Sequence, residues 1–87
     1  MSGMSSDAEL VICNFVMSKV AEPGIIRDYY EQGSPLEGAE MALHAAQIFG
    51  IDLPDSVRDA ARQLLNQNAD NSTFRAVAEK ALHLVPA

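Results

Sequence analysis

"SPLEGAEMALHAAQIFG", residues 34–50, decides the fold. Ser34 offers a hydroxyl to the free N–H groups of a helix start. Pro35 suits the first helical position, where its missing N–H and fixed φ do no harm, and Glu37 completes a capping box. Gly50 is the matching stop, because a left-handed residue ends many helices and glycine adopts that conformation without strain. Between these signals Leu36, Ala39, Leu43 and Ala46 fall on one stripe, widened by Ala42 and Phe49. Gly38 and the alanines leave little side chain on that face, so a neighbouring element can approach closely. A helix with one apolar face needs other helices or a sheet to cover it.

The flanks supply helices. Upstream, Ser6-Asp7-Ala8-Glu9 reads as a second capping box, followed by "ELVICNFVMSKV", residues 9–20. Its β-branched residues would also suit a strand, but the cap and the length of the run predict a helix. Asn14, Ser18 and Glu22 recur every four residues as its polar seam, while apolar residues cover the remaining circumference. Such a helix is central in a bundle or half of an oligomer interface. "EPG" at 22–24 ends it, and a short helix over Pro23–Gln32 carries Ile25, Ile26, Tyr29 and Tyr30, with Gly33 as its left-handed terminator. Downstream, Asp52-Leu53-Pro54-Asp55 opens a fourth helix whose Val57, Ala60, Ala61, Leu64 and Leu65 match the helical template. Arg58, Asp59, Arg62 and Gln63 form its solvated face. After the polar loop "NQNADNS", Asn71 or Ser72 caps a fifth helix bearing Phe74, Val77, Ala78, Ala81, Leu82 and Val85, which Pro86 ends. Arg75 with Glu79, and Glu79 with His83, are possible i, i+4 pairs. The expectation is all-α: a compact bundle of four to five short antiparallel helices forming a single domain over residues 1–87, with residues 1–5 disordered.

Composition narrows the function. Eighty-seven residues hold one small core, and 48% hydrophobic content is that of a globular chain. The lone Cys13 sits among Val11, Ile12, Phe15 and Val16, which excludes an intramolecular disulfide and suits a buried thiol. The first residues carry no basic-then-apolar leader and no run reaches membrane-spanning length, so a cytoplasmic location is expected. The net charge of −6 is uneven: residues 1–55 hold nine acids against two bases, residues 56–87 three acids against four. Acidic surfaces repel the phosphates of nucleic acid. The expected partner is therefore a protein with a basic surface, with neither nucleic acid nor membrane; solubility alone also accounts for the charge.

No catalytic constellation is visible. His44 and His83 fall on different helices without neighbouring ligands at metal spacing. Glu37 with Glu40 and Asp52 with Asp55 lie at helix starts, where capping and the helix dipole explain them. A helix-turn-helix around "FGIDLP" would put Arg58 and Arg62 forward, but Asp55 and Asp59 alternate with them. The reading is of a non-enzyme without cofactor or metal.

The stretch from Glu22 to Glu40 is different. It holds five acids, the single base Arg27 and both tyrosines of the chain. Adjacent helical residues point about 100° apart, so Tyr29 and Tyr30 diverge, one inward and one outward. An exposed tyrosine among acids has the composition of a binding hot spot. Tyrosines lying flat over a core with their hydroxyls in water would look the same in sequence. The candidate protein-binding residues are Asp28, Tyr29, Tyr30, Glu31, Glu37 and Glu40.

The segment "IIRDYYEQGSPLEGAEMALHAAQIFGIDLPDSVRDAARQLL", residues 25–65, resembles the small helical immunity proteins of bacterial polymorphic and contact-dependent toxin systems. The likeness lies in the aromatic-acidic turn at Gly33, the "LEGAEMAL" helix and the "GIDLP" turn before another amphipathic helix. It implies a bacterial, non-enzymatic inhibitor that sets an acidic face on a basic toxin. The alternative is a homo-oligomeric adaptor or chaperone subunit, secretion- or phage-associated, that dimerises through the apolar first helix.

Overall fold

The computed structural model describes residues 4–83, and within them every regular element is helical. The elements are α1 (Met4–Met17), α2 (Gly24–Asp28), a single π-helical turn (Tyr29–Gly33), α3 (Pro35–Phe49), α4 (Asp55–Gln67) and α5 (Ser72–Ala81). The bundle expected from the apolar stripes is present. α1 and α3 pack together at its centre, α4 lies against α1, and α5 covers α3 and α4. α2 sits on α1 and α3, and the π turn on α3.

The caps of α3 and α5 work as their residue types require. Ser34 is extended, and its Oγ accepts from the Glu37 N–H at 3.2 Å. Only half of the capping box forms, because the Ser34 N–H is already donated to the Tyr29 carbonyl at 3.1 Å. Gly50 has φ 66°, and the next N–H, of Ile51, returns to the Ala46 carbonyl at 2.8 Å, which closes α3 with a Schellman-type turn. Asn71 is the cap of α5, with Oδ1 accepting from the Phe74 N–H at 3.0 Å.

Several boundaries differ from the sequence expectation. α1 is already helical at Met4, ahead of the Ser6 expected to cap it, so Met4 and Ser5 belong to a helix; residues 1–3 of the stretch expected to be disordered lie outside the described residues. The same helix stops at Met17 rather than at "EPG". The Ser18 N–H is shared between the Asn14 and Phe15 carbonyls, and its hydroxyl donates to the Phe15 carbonyl at 2.6 Å. This local alternative to the helical ladder tightens the last turn and leaves Glu22 outside the helix. Pro54 is the extended residue preceding α4 rather than a member of its first turn. Gly33 is not left-handed: the widened π turn, not a glycine conformation, ends the second helical segment. At the end of α5 the left-handed residue is His83, at φ 59°. That turn takes His83 off the helix, and no His83–Glu79 pair forms, whereas Arg75 meets Glu79 at 3.8 Å. Val85 and Pro86 lie outside the described residues.

The core joins all five helices. Ile12, Val16, Leu43, Leu64, Phe74 and Leu82 are its largest buried members, and alanines of α3, α4 and α5 fill the gaps between them. Cys13 is fully buried, as its apolar neighbours foretold. Burial, with Glu9 nearby adding to it, pushes the thiol up to about 12. Arg58 departs from the solvated face assigned to it: it is half-buried and its guanidinium donates to the Leu82 carbonyl at 3.3 Å. A cation there satisfies a carbonyl at the C-terminal end of α5. Phe49, expected to widen the core stripe of α3, is 67% exposed. In the last turn of α3 Ala46 still enters the core, whereas Ile48 and Phe49 do not.

Candidate functional site

The two tyrosines diverge as helical geometry requires, and the structure decides which goes where. Ile26 is buried, and Tyr30, four residues on, packs against the same core. Ile25 and Tyr29, the other i, i+4 pair, turn outward at 53% and 46% exposure. Tyr30 is held by α3. A Cβ placed on Gly38 would lie 2.7 Å from the Tyr30 Cβ and 2.8 Å from its Cα, so only glycine permits this approach. Burial pushes the Tyr30 phenol upward, and Cys13 and Glu9 of α1 add to the shift. Tyr30 therefore acts as a packing residue that holds the π turn on α3. Of the two candidate tyrosines, Tyr29 is the more exposed.

Tyr29 joins two of the acids in one concavity. It lines a cleft of about 390 Å³ with Glu37, Glu40 and Met41 of α3, closed at one side by Asn71 and Thr73 at the start of α5. Glu37 is exposed and Glu40 half-buried. The Glu40 carboxyl titrates above the usual carboxylate range because it is partly desolvated and because Glu37 stands beside it; His44 acts in the opposite direction. Asp28 and Glu31 are exposed but do not line the cleft. Among the described residues, ion pairs occur only at Arg62–Asp59 and Arg75–Glu79, so all four of these acids are without a cation partner there.

A second concavity lies beside the first. It measures about 490 Å³ and is mainly apolar, with Ile25 of α2, Ala45, Ile48 and Phe49 of α3, and Ile51 beyond it. Ile48 is 62% exposed. Met41 lines both concavities, so the cleft and the groove adjoin at that residue on α3. Sequence reasoning missed this groove. The signal was present in the helical wheel of α3: Met41, His44 and Ile48 fall opposite the Ala39–Leu43–Ala46 stripe, and an isoleucine on that side has no core to enter.

Among the described residues no three His, Cys, Asp or Glu side chains gather as metal ligands, and no helix is long and apolar enough to cross a membrane. No protein-family model matches the chain, and neither a curated protein nor a solved structure matches it. The site is therefore read from its own geometry.

Proposed function

We propose that this protein is a small acidic protein-binding module, and that it works as an immunity-type inhibitor, binding and neutralising a basic partner protein such as a toxin. The observation that carries the reading is the cleft in which half-exposed Tyr29 stands over Glu37 and Glu40. Tyrosine supplies a broad contact area at little entropic expense, and it is enriched where interfaces are strongest. Carboxylates without internal partners keep their charge available for a cation on another molecule. They steer a basic partner inward and fix its register more than they add affinity. Asp28 and Glu31, exposed within two residues of Tyr29 in the chain, extend the same field. The mechanism is occlusion, and it gives the protein no catalytic role. The resemblance of residues 25–65 to immunity proteins points the same way.

The test starts from the protein captured on the immobilised full chain. That protein is expressed alone and together with this chain, and growth is followed. Relief of growth arrest by the wild type, lost with a Tyr29→Ala/Glu37→Lys/Glu40→Lys variant that keeps its helical circular dichroism, is the expected result. Equal protection by that variant, or an affinity that does not weaken with salt, overturns the assignment. The second reading, a homo-oligomeric adaptor joined through α1, is favoured by one observation: Leu10 and Val11 are exposed side by side on that helix. Light scattering separates the two, since a strict monomer removes the adaptor.

A further inference from the structure

We infer that the apolar groove beside the acidic cleft receives the non-polar face of one amphipathic helix of the partner, and that the cationic end of that helix lies in the cleft. This inference rests on the protein-binding reading and names the kind of epitope the surface would take. The surface is ordered along α3. Glu37 and Glu40 stand at its N-terminal end, Met41 at the junction, and Ile48 and Phe49 at its C-terminal end. From Glu37 to Ile48 the helix rises about 16 Å, which matches about three turns of a docked helix. Ile25 walls the apolar end and Tyr29 the acidic end. An amphipathic helix in such a trough seats apolar side chains at i, i+3, i+4 and i+7.

Charge selects the occupant. The groove rim is nearly balanced, with Lys19 and Glu22 both lining it, whereas the cleft holds two carboxylates and no cation. A complementary segment is therefore apolar over most of its length and cationic at one end. An anionic lipid surface would face Glu37 and Glu40 with like charge. A second copy docking through this same face would set the acids against its own acids or, turned end for end, over its apolar groove, and neither supplies a cation. A cationic amphipathic helix meets neither penalty.

The probe is a fluorescent Lys/Leu peptide of about 14 residues, about four helical turns, with its lysines concentrated at one end. The control is a peptide of the same composition in scrambled order. Binding is followed by fluorescence anisotropy on the full chain. The Ile48→Ser/Phe49→Ser variant alters only exposed side chains, and Ile25→Ser provides an independent change on the opposite wall. Either variant is expected to weaken the amphipathic peptide by about tenfold without changing the scrambled one, the effect of removing a hot-spot contact. Glu37→Gln/Glu40→Gln is expected to flatten the salt dependence instead. Equal affinity for the ordered and scrambled peptides overturns the inference, as does an unchanged affinity in both groove variants. Loss in the groove variants with no effect of Glu37→Gln/Glu40→Gln refutes the acidic-cleft reading while leaving the groove as a helix site. A dimer that dissociates in Ile48→Ser/Phe49→Ser assigns the groove to a second copy and overturns the proposal. Stronger binding to anionic vesicles than to the peptide assigns it to a membrane and does the same.

Discussion

Gly38→Ala tests the fold and the placement of the site together. In an isolated helix the change would stabilise, since alanine exceeds glycine by about 1 kcal/mol in a helix interior. Here the new Cβ would meet the Tyr30 Cβ at 2.7 Å and its Cα at 2.8 Å, with the ring edge at 3.1 Å. Two of these three atoms are fixed by the backbone and its first carbon, so no rotamer of Tyr30 relieves the clash. α3 and the π turn must separate instead. Overpacking of this kind costs about 1–3 kcal/mol, and a backbone obstacle belongs at the upper end. After the gain in helix propensity the expected net loss is about 1–2 kcal/mol. In a domain of this size that lowers Tm by about 5–10 °C. Urea unfolding followed by circular dichroism measures it, with the midpoint falling and the slope unchanged. Gly24→Ala is the control: no atom lies within 4 Å of its Cβ position, so the change should be neutral or stabilise by up to about 1 kcal/mol. The loss from Gly38→Ala should persist in a Tyr30→Ala background, because the Cα and Cβ of residue 30 remain. If Gly38→Ala is as stable as the wild type, the close approach is wrong. If Tyr30→Ala rescues it, the obstacle was only the ring.

The other expectations are separable. Tyr30→Ala should lose about 2 kcal/mol as a half-buried aromatic, whereas Tyr29→Ala should stay within about 0.5 kcal/mol in stability and act on partner binding alone; urea midpoints distinguish them. Asn71→Ala removes the acceptor of the Phe74 N–H and should lower stability by about 1 kcal/mol, with Asn71→Asp retaining most of it. The Cys13 thiol is held up at about 12 from an ordinary 9.0. The unfolded chain releases this proton near the lower value and the folded chain near the higher one. Stability is therefore undiminished below pH 9.0 and falls as pH rises from there toward about 12. At pH 8 the folded protein should react with iodoacetamide far more slowly than the urea-unfolded chain, measured by mass spectrometry, because the thiol is both fully buried and held protonated. Comparable rates would place Cys13 outside the core.

The helices were legible because their signals are local. Ser34 and Pro35, Gly50, and Asn71 each state where a helix starts or stops through groups within four residues, and the stripes of α3, α4 and α5 follow from a fixed 3.6-residue period. The divergence of Tyr29 and Tyr30 was equally determined, since it needs only helix geometry. The earlier end of α1 was not, because Ser18 competes with the ladder only once the chain turns there. Which tyrosine faces inward was decided by α3: Gly38 lets the backbone at residue 30 approach, and Ile26 and Tyr30 follow it into the core while Ile25 and Tyr29 are turned out. Phe49 and Ile48 are apolar by sequence and exposed in the fold: Ile48 lies on the side of α3 away from the core stripe, and no neighbouring helix covers Phe49 at the stripe's edge, although Ala46 in the same turn is buried. Periodicity tells which side chains share a face. Only the arrangement of neighbouring helices tells whether that face is covered, because burial is a property of what lies opposite.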